Sequence, residues 1–235
     1  MVSVIDTTRN AVVDSITVSP PRTLPLGIAI TPDGCELYVV AEIGAGPDDV
    51  GKGAVKIIDA KTKAIVASVA LSPCELGESL VAITPNGRFA YAFDTSGFPA
   101  VIDTTTHDVT FPLSITSPCG RMAFTPNGLL AYLTSGDLVE VYDLATHKIV
   151  TVIDVFGGNS TDVAVTPNGR HVYVAQRPGE GSGARLLVID TTTQKRVDPP
   201  IKVPGADGLA FTPTGQTAYV SDRNSRAVHV VAVRP

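Results

Sequence analysis

The chain has 235 residues, 44% of them hydrophobic and 17% charged, with a net charge of −5. That length can bury one full core or two, the acidic balance leaves no basic footprint for nucleic acid, and no apolar run approaches the roughly 20 residues of a membrane-spanning helix. Three cysteines, an odd number, make no disulfide framework, and the lack of tryptophan removes a Trp-centred sugar or base platform.

Taken in order, the chain opens on half of a repeat: a strand Val2–Asp6, a polar turn Thr7-Thr8-Arg9-Asn10 and a strand Ala11–Val18. With the four strands of a full repeat labelled a to d, the chain starts at c. The first full unit is expected at Gly27–Ile30, Glu36–Ala41, Ala54–Asp59 and Ala64–Leu71. The second is Leu80–Ile83, Phe89–Phe93, Pro99–Asp103 and Asp108–Leu113. The third is Arg121–Phe124, Leu130–Thr134, Leu138–Asp143 and Lys148–Ile153. The fourth is Asp162–Val165, His171–Ala175, Arg185–Asp190 and Arg196–Val203, and the chain finishes on Gly208–Phe211, Thr217–Ser221 and Ala227–Val233. No helical periodicity appears over a useful window.

Two signals fix this reading. Thr-Pro-x-Gly occurs at Thr31, Thr84, Thr125, Thr166 and Thr212, each time followed seven residues later by a tyrosine: Tyr38, Tyr91, Tyr132, Tyr173 and Tyr219. Proline presets the first corner of a tight turn and glycine takes its left-handed position, so each tetrapeptide closes an a–b hairpin. The second signal is Val-Ile-Asp-Thr-Thr or a variant, with its aspartate at Asp6, Asp59, Asp103, Asp143 and Asp190. Those carboxylates are expected to accept bonds from the following amides in Asx-type c–d turns. Several strands are apolar on both faces, as in Leu186-Leu187-Val188-Ile189, and such strands are covered on both sides. Four-stranded antiparallel sheets stacked face to face around an axis meet that need, so the expected fold is all-β, a β-propeller formed as a single domain over 1–235. Five blades account for the strands if Ala11–Val18 serves as the outer strand of the blade begun by Gly208–Phe211, joining the two ends of the chain. Val2–Asp6 then lies outermost or displaces Ala227–Val233.

The run Val188–Thr193, the segment Val163–Gln176 and the pairs Tyr173-Val174 and Tyr219-Val220 resemble the YVTN family of β-propeller repeats over essentially the whole chain. The four-residue signature is altered here to Tyr173-Val174-Ala175-Gln176 and Tyr219-Val220-Ser221-Asp222, and there are fewer repeats than the family's usual seven blades. The resemblance implies the fold far more than a reaction, since such repeats occur in surface and secreted proteins and in relatives of lactonases and lyases. Met1 leads straight into a repeat strand, so a cytoplasmic protein is expected, or a secreted one if the sequence is a trimmed mature form.

The a–b and c–d turns share one monotonous face. His107 and His147 fall there at equivalent c–d positions with Asn10, Lys63 and Gln194, a spacing set by the repeat rather than by metal ligation. On the opposite face the repeats differ, with inserts at Glu42–Gly53 and Gln176–Gly183. Strand a lines the channel of a propeller, so Arg121, Asp162 and Asp207, at strand-a entrances, are the candidate catalytic residues. Glu42, Asp94, Gln176 and Asp222, at the ends of strand b, are candidate ligand contacts. Arginine among carboxylates can orient a polar ligand and supply an acid or base. The leading expectation is a scaffold for a small polar molecule or a protein, without cofactor, metal or nucleic acid. The alternative is a cofactor-free lyase, cyclase or lactone hydrolase at the same funnel. Cys74 and Cys119, both in Ser-Pro-Cys, are the one pair placed to form a disulfide; all three thiols are otherwise expected to be reduced, with Cys35 isolated.

Overall fold

The computed structural model describes residues 1–18, 23–43, 52–71, 80–93, 99–111, 120–177 and 183–233. Twenty-one strands and no helix occur among them. The chain divides into two compact units, Met1–Ser114 and Ile115–Pro235.

In the first unit, β1 (Val2–Asp6) and β2 (Ala11–Ile16) form a two-stranded hairpin. Next comes a four-stranded meander of β3 (Thr23–Ile30), β4 (Glu36–Ile43), β5 (Lys52–Asp59) and β6 (Ile65–Ala70). A second meander follows, of β7 (Leu80–Ile83), β8 (Phe89–Phe93), β9 (Ala100–Asp103) and β10 (Val109–Thr110). The second unit holds β11 (Met122–Phe124), β12 (Leu130–Ser135), β13 (Leu138–Asp143) and β14 (Lys148–Asp154), then β15 (Ser160–Val165), β16 (His171–Gln176), β17 (Arg185–Asp190) and β18 (Lys195–Lys202). A three-stranded sheet of β19 (Ala206–Phe211), β20 (Thr217–Asp222) and β21 (Ala227–Ala232) completes it. All neighbouring strands are antiparallel, and every strand expected from the repeat is present.

The turns follow the chemistry of their residues. In each Thr-Pro-x-Gly the glycine amide donates to the threonine carbonyl at 2.8 Å, with the glycine at φ between 68° and 72°. In four of them the threonine hydroxyl donates to the Asp or Asn side chain at 2.6–2.8 Å, while accepting the amide five residues on. Successive turns also touch. A Cβ placed on Gly87, Gly169 or Gly215 would stand 3.1–3.3 Å from Cδ of Pro32, Pro126 or Pro167 in the preceding turn. The glycine therefore serves two ends, a left-handed corner and a close approach. The c–d turns hold as expected: Asp6, Asp59, Asp103, Asp143 and Asp190 each accept backbone amides. Asn10, Lys63, His107, His147 and Gln194 take positive φ.

The core lies between sheets. Tyr38 on β4 is buried against Val81, Ala90, Ala92 and Ile102 of the following sheet. Tyr132 packs on Val163, Val172 and Val174, and Tyr173 on Ala206 and Val220, with the Phe211 ring edge-on at 5.1 Å. On the other face of the first meander, Ile16 and Val18 pack on Val39 and Ile58, while Ile28 and Ile30 on its inner strand stay 53% exposed. Tyr219 breaks the pattern: it is 46% exposed, beside Val228 and Val230, where its four counterparts are at most 1% exposed. The expected closure of the ring is not in the pairing of the described residues. Among the described residues β2 has β1 as its neighbour, and β21 is the last strand of a three-stranded sheet.

The contrast between equivalent tyrosines gives a stability test. Tyr173→Ala removes a side chain packed between two sheets and is expected to cost about 3–5 kcal/mol. Tyr219→Ala should cost under about 1 kcal/mol, because half of that ring already meets solvent. Urea unfolding of both variants checks it.

Candidate functional site

The inner strands β11, β15 and β19 lie side by side in the second unit. β15 and β19 enter through register shifts, between Ser160 and Asp162 and between Ala206 and Leu209. A bulge re-aims side chains out of the pleat, and here it does so where the sequence places its charges.

Asp162 is the centre of the cluster. It is partly buried and accepts two amides, from Val163 at 2.9 Å and from Leu209 of the neighbouring strand at 2.7 Å. Burial raises its pKa above the usual aspartate value. The two amides and the positive charge of Arg121 oppose the rise, and the negative charge of Asp207 adds to it. Arg121, Asp162 and Asp207 thus share one electrostatic neighbourhood. Arg121 is held at its backbone by Thr134, whose buried hydroxyl accepts the Arg121 amide at 2.8 Å. Its guanidinium makes no hydrogen bond or ion pair with another described residue.

Asp207 has a direct partner that sequence reasoning missed. Arg177 donates Nε and Nη2 to Asp207 Oδ1 at 3.1 and 2.6 Å. The Thr161 hydroxyl donates to the Asp207 carbonyl at 2.8 Å, a second tie between the β15 and β19 segments. The available signal was an arginine immediately after strand b. Gln176, one residue earlier, holds the repeat-equivalent position.

The b-strand candidates have other duties. Gln176 is fully buried; its amide donates to the carbonyls of Val155 and Gly158 and accepts from Arg185 Nε at 3.0 Å. Asp222 is buried, accepts the amides of Asn224 and Ser225, and meets His229 Nε2 at 2.9 Å. These donors, His229 first, hold its carboxyl well below the usual range. The β20–β21 turn is thus an Asx turn like the c–d turns, with Arg226 at positive φ. Glu42 belongs to β4, its backbone opposite Leu24 and Gly53. Asp94, Cys74 and Cys119 lie outside the described residues; Cys35 is a free, exposed thiol. His107 Nε2 lies 3.4 Å from Glu36, which also accepts the Tyr38 hydroxyl at 3.0 Å.

A cleft of about 610 Å³ lies in the first unit, on the turn face, lined by residues of two successive Thr-Pro turns with Cys35, Glu36, Asp59 and Arg88. Asp33 and Asp59 on its walls each commit a carboxylate oxygen to a turn. The cleft therefore belongs to the repeat scaffold, and the irregular charge cluster of the second unit is the stronger candidate. Among the described residues there is no group of three or more His, Cys, Asp or Glu that could hold a metal ion, and no helix long and apolar enough to cross a membrane.

No family model and no curated protein matches the sequence. Among solved structures, hydrazine synthase of Kuenenia stuttgartiensis is similar over 89% of this chain, with a TM-score of 0.74 and 18% identity. This chain spans 63% of the length of that one. The neighbour contains a β-propeller, and with the four-stranded antiparallel sheets it places this chain in the all-β propeller class.

The internal bonding of Gln176 predicts a structural phenotype. Gln176→Leu leaves two carbonyls and an arginine without their amide, and should lower stability by about 2 kcal/mol. A residue that only touched ligand would leave the melting temperature unchanged in calorimetry.

Proposed function

We propose that this chain is a β-propeller scaffold that binds a small, polar, anionic ligand at the strand-a entrances of the second unit, through Arg121, Asp162 and Asp207. The observation that carries the reading is Arg121, partly buried and with no hydrogen-bonded partner for its guanidinium among the described residues, bearing electrostatically on an acid that burial makes easier to protonate. Arginine offers a planar fork suited to a carboxylate or sulfonate, and a protonated Asp162 can donate a further hydrogen bond. The five turns and the interior of the blades carry the fold, which frees the entrances of the inner strands to vary.

A second reading is supported by the same acid. A carboxyl with a raised pKa beside a cation can pass a proton to or from a bound carbonyl compound, the chemistry of a cofactor-free lyase, cyclase or lactone hydrolase. Binding is the simpler reading, because Asp162 spends both oxygens on backbone amides.

The test uses methanesulfonate, which stays ionised across the working range. Titration calorimetry on the whole chain should show binding that strengthens as pH falls through the Asp162 midpoint, since protonation removes the negative charge facing Arg121. Arg121→Ala should lose at least tenfold in affinity, equivalent to about 1.4 kcal/mol, with an unchanged melting temperature. Asp162→Asn should flatten the pH dependence. Absence of binding by sulfonate and by a panel of small carboxylates, or equal affinity in Arg121→Ala, rejects the site.

A further inference from the structure

The pair Arg177–Asp207 has no role in holding a blade together by apolar contact, yet its geometry is specific. Both guanidinium nitrogens converge on one carboxylate oxygen, Oδ1, from a position just after β16. Asp207 itself sits in the β19 bulge, two residues before Leu209, whose amide holds Asp162. Thr161, next to Asp162, bonds the Asp207 carbonyl. Asp162 and Asp207 are therefore cross-tied at fixed separation, two acids in one neighbourhood with one cation committed to the second of them.

We infer that Arg177 is a positioning residue for the proposed site: by holding Asp207 through Oδ1, it restrains that second acid and leaves Arg121 as the cation facing Asp162. The inference rests on the anion-binding reading above and adds what regulates it. The charged groups bearing on Asp162 are Arg121 from the β11 side and Asp207 from the β19 side, together with the amides of Val163 and Leu209. Arg121 favours the ionised acid and Asp207 opposes it. Neutralising Asp207 therefore weakens the opposition, and removing Arg177 restores it in full. Asp162 should then hold its proton to a higher pH, and the pH below which the site accepts an anion should rise with it. Arg177 in this view sets the working pH of the site through Asp207, without touching ligand.

The decisive measurement is a carbon NMR titration of the Asp162 side-chain carboxyl in the ligand-free chain, with Asp162→Asn to assign the signal. In Arg177→Gln the midpoint should move upward; in Arg177→Lys, which keeps a cation without the planar fork, it should return toward wild type. In Asp207→Asn it should move downward, and adding Arg177→Gln to Asp207→Asn should change nothing further. An immobile midpoint in Arg177→Gln sinks the inference. So does an equal shift in the Asp207→Asn background, because Arg177 would then act by another route. Should Arg177→Gln fail to fold, Asp207→Asn alone decides, since an unmoved midpoint there removes the second acid from the argument. The titration needs no ligand, so failure of sulfonate binding rejects the functional reading and leaves this result readable. Binding with an immobile midpoint rejects only the role of Arg177.

Discussion

A sheet with two apolar faces cannot stand alone in water, and that constraint organises this chain. The tyrosine on the second strand of each blade shows where the cover comes from. Tyr38, Tyr132 and Tyr173 are sealed by residues of the sheet that follows in sequence, each interface burying aromatic and β-branched area worth several kcal/mol. Stacking sheet on sheet also fixes the spacing of the turns. The glycine of one Thr-Pro turn then meets the proline of the turn before it within van der Waals contact. A side chain on Gly215 would have to enter the ring of Pro167 and also adopt a left-handed backbone. The tetrapeptide is thus a local turn and a piece of inter-sheet packing at once.

Charge enters where stacking demands least. In the two four-stranded sheets of the second unit the middle strands are nearly all buried, and the outer strand meets solvent. The bulged entrances of β15 and β19 are partly sheltered. Arg121, Asp162, Asp207 and Arg177 collect there, at positions occupied in the first unit by Gly27 and Leu80 for the strand-a members. At Asp162 and Asp207 the strand entrances carry register shifts, which turn side chains away from the faces that must stack.

The strands and both turn types were legible in the sequence because each rests on local chemistry repeated five times. Proline, asparagine and glycine specify the a–b turn, and aspartate followed by threonines the c–d turn. Closure was not legible, since it depends on how distant chain ends meet, and half-repeats at Val2 and Ala227 fit several pairings. The charged trio was found by repeat equivalence alone, which brings Arg121, Asp162 and Asp207 to one neighbourhood although they are far apart in sequence. The same equivalence places Gln176 and Asp222 at the ends of strand b, where both make internal hydrogen bonds. Position within a repeat says which end of a strand a residue occupies; it does not say whether a nearby carbonyl or amide will claim the side chain first. Arg177 lay one residue beyond the aligned position and was hidden by that offset.

The aspartates of this chain make the last point. Asp103 and Asp190 accept pairs of amides at turns, and those bonds, with the Thr193 hydroxyl at Asp190, hold their carboxyls below the usual value. Asp162 also accepts two amides, of similar length, yet its pKa moves the other way. Asp103 and Asp162 each accept two amides, so donor count alone does not explain the opposite sign. What differs is desolvation: between two inner strands it is the largest influence on Asp162 and outweighs the amides and Arg121 together, whereas at Asp103 and Asp190 the turn amides outweigh it. The turn amides thus favour the ionised form of these aspartates, whose oxygens serve as anchors. Asp162 is the one member of the series whose surroundings let a bound anion or a neighbouring charge change its protonation, and that is the physical reason for placing function there rather than at the more numerous aspartates of the turns.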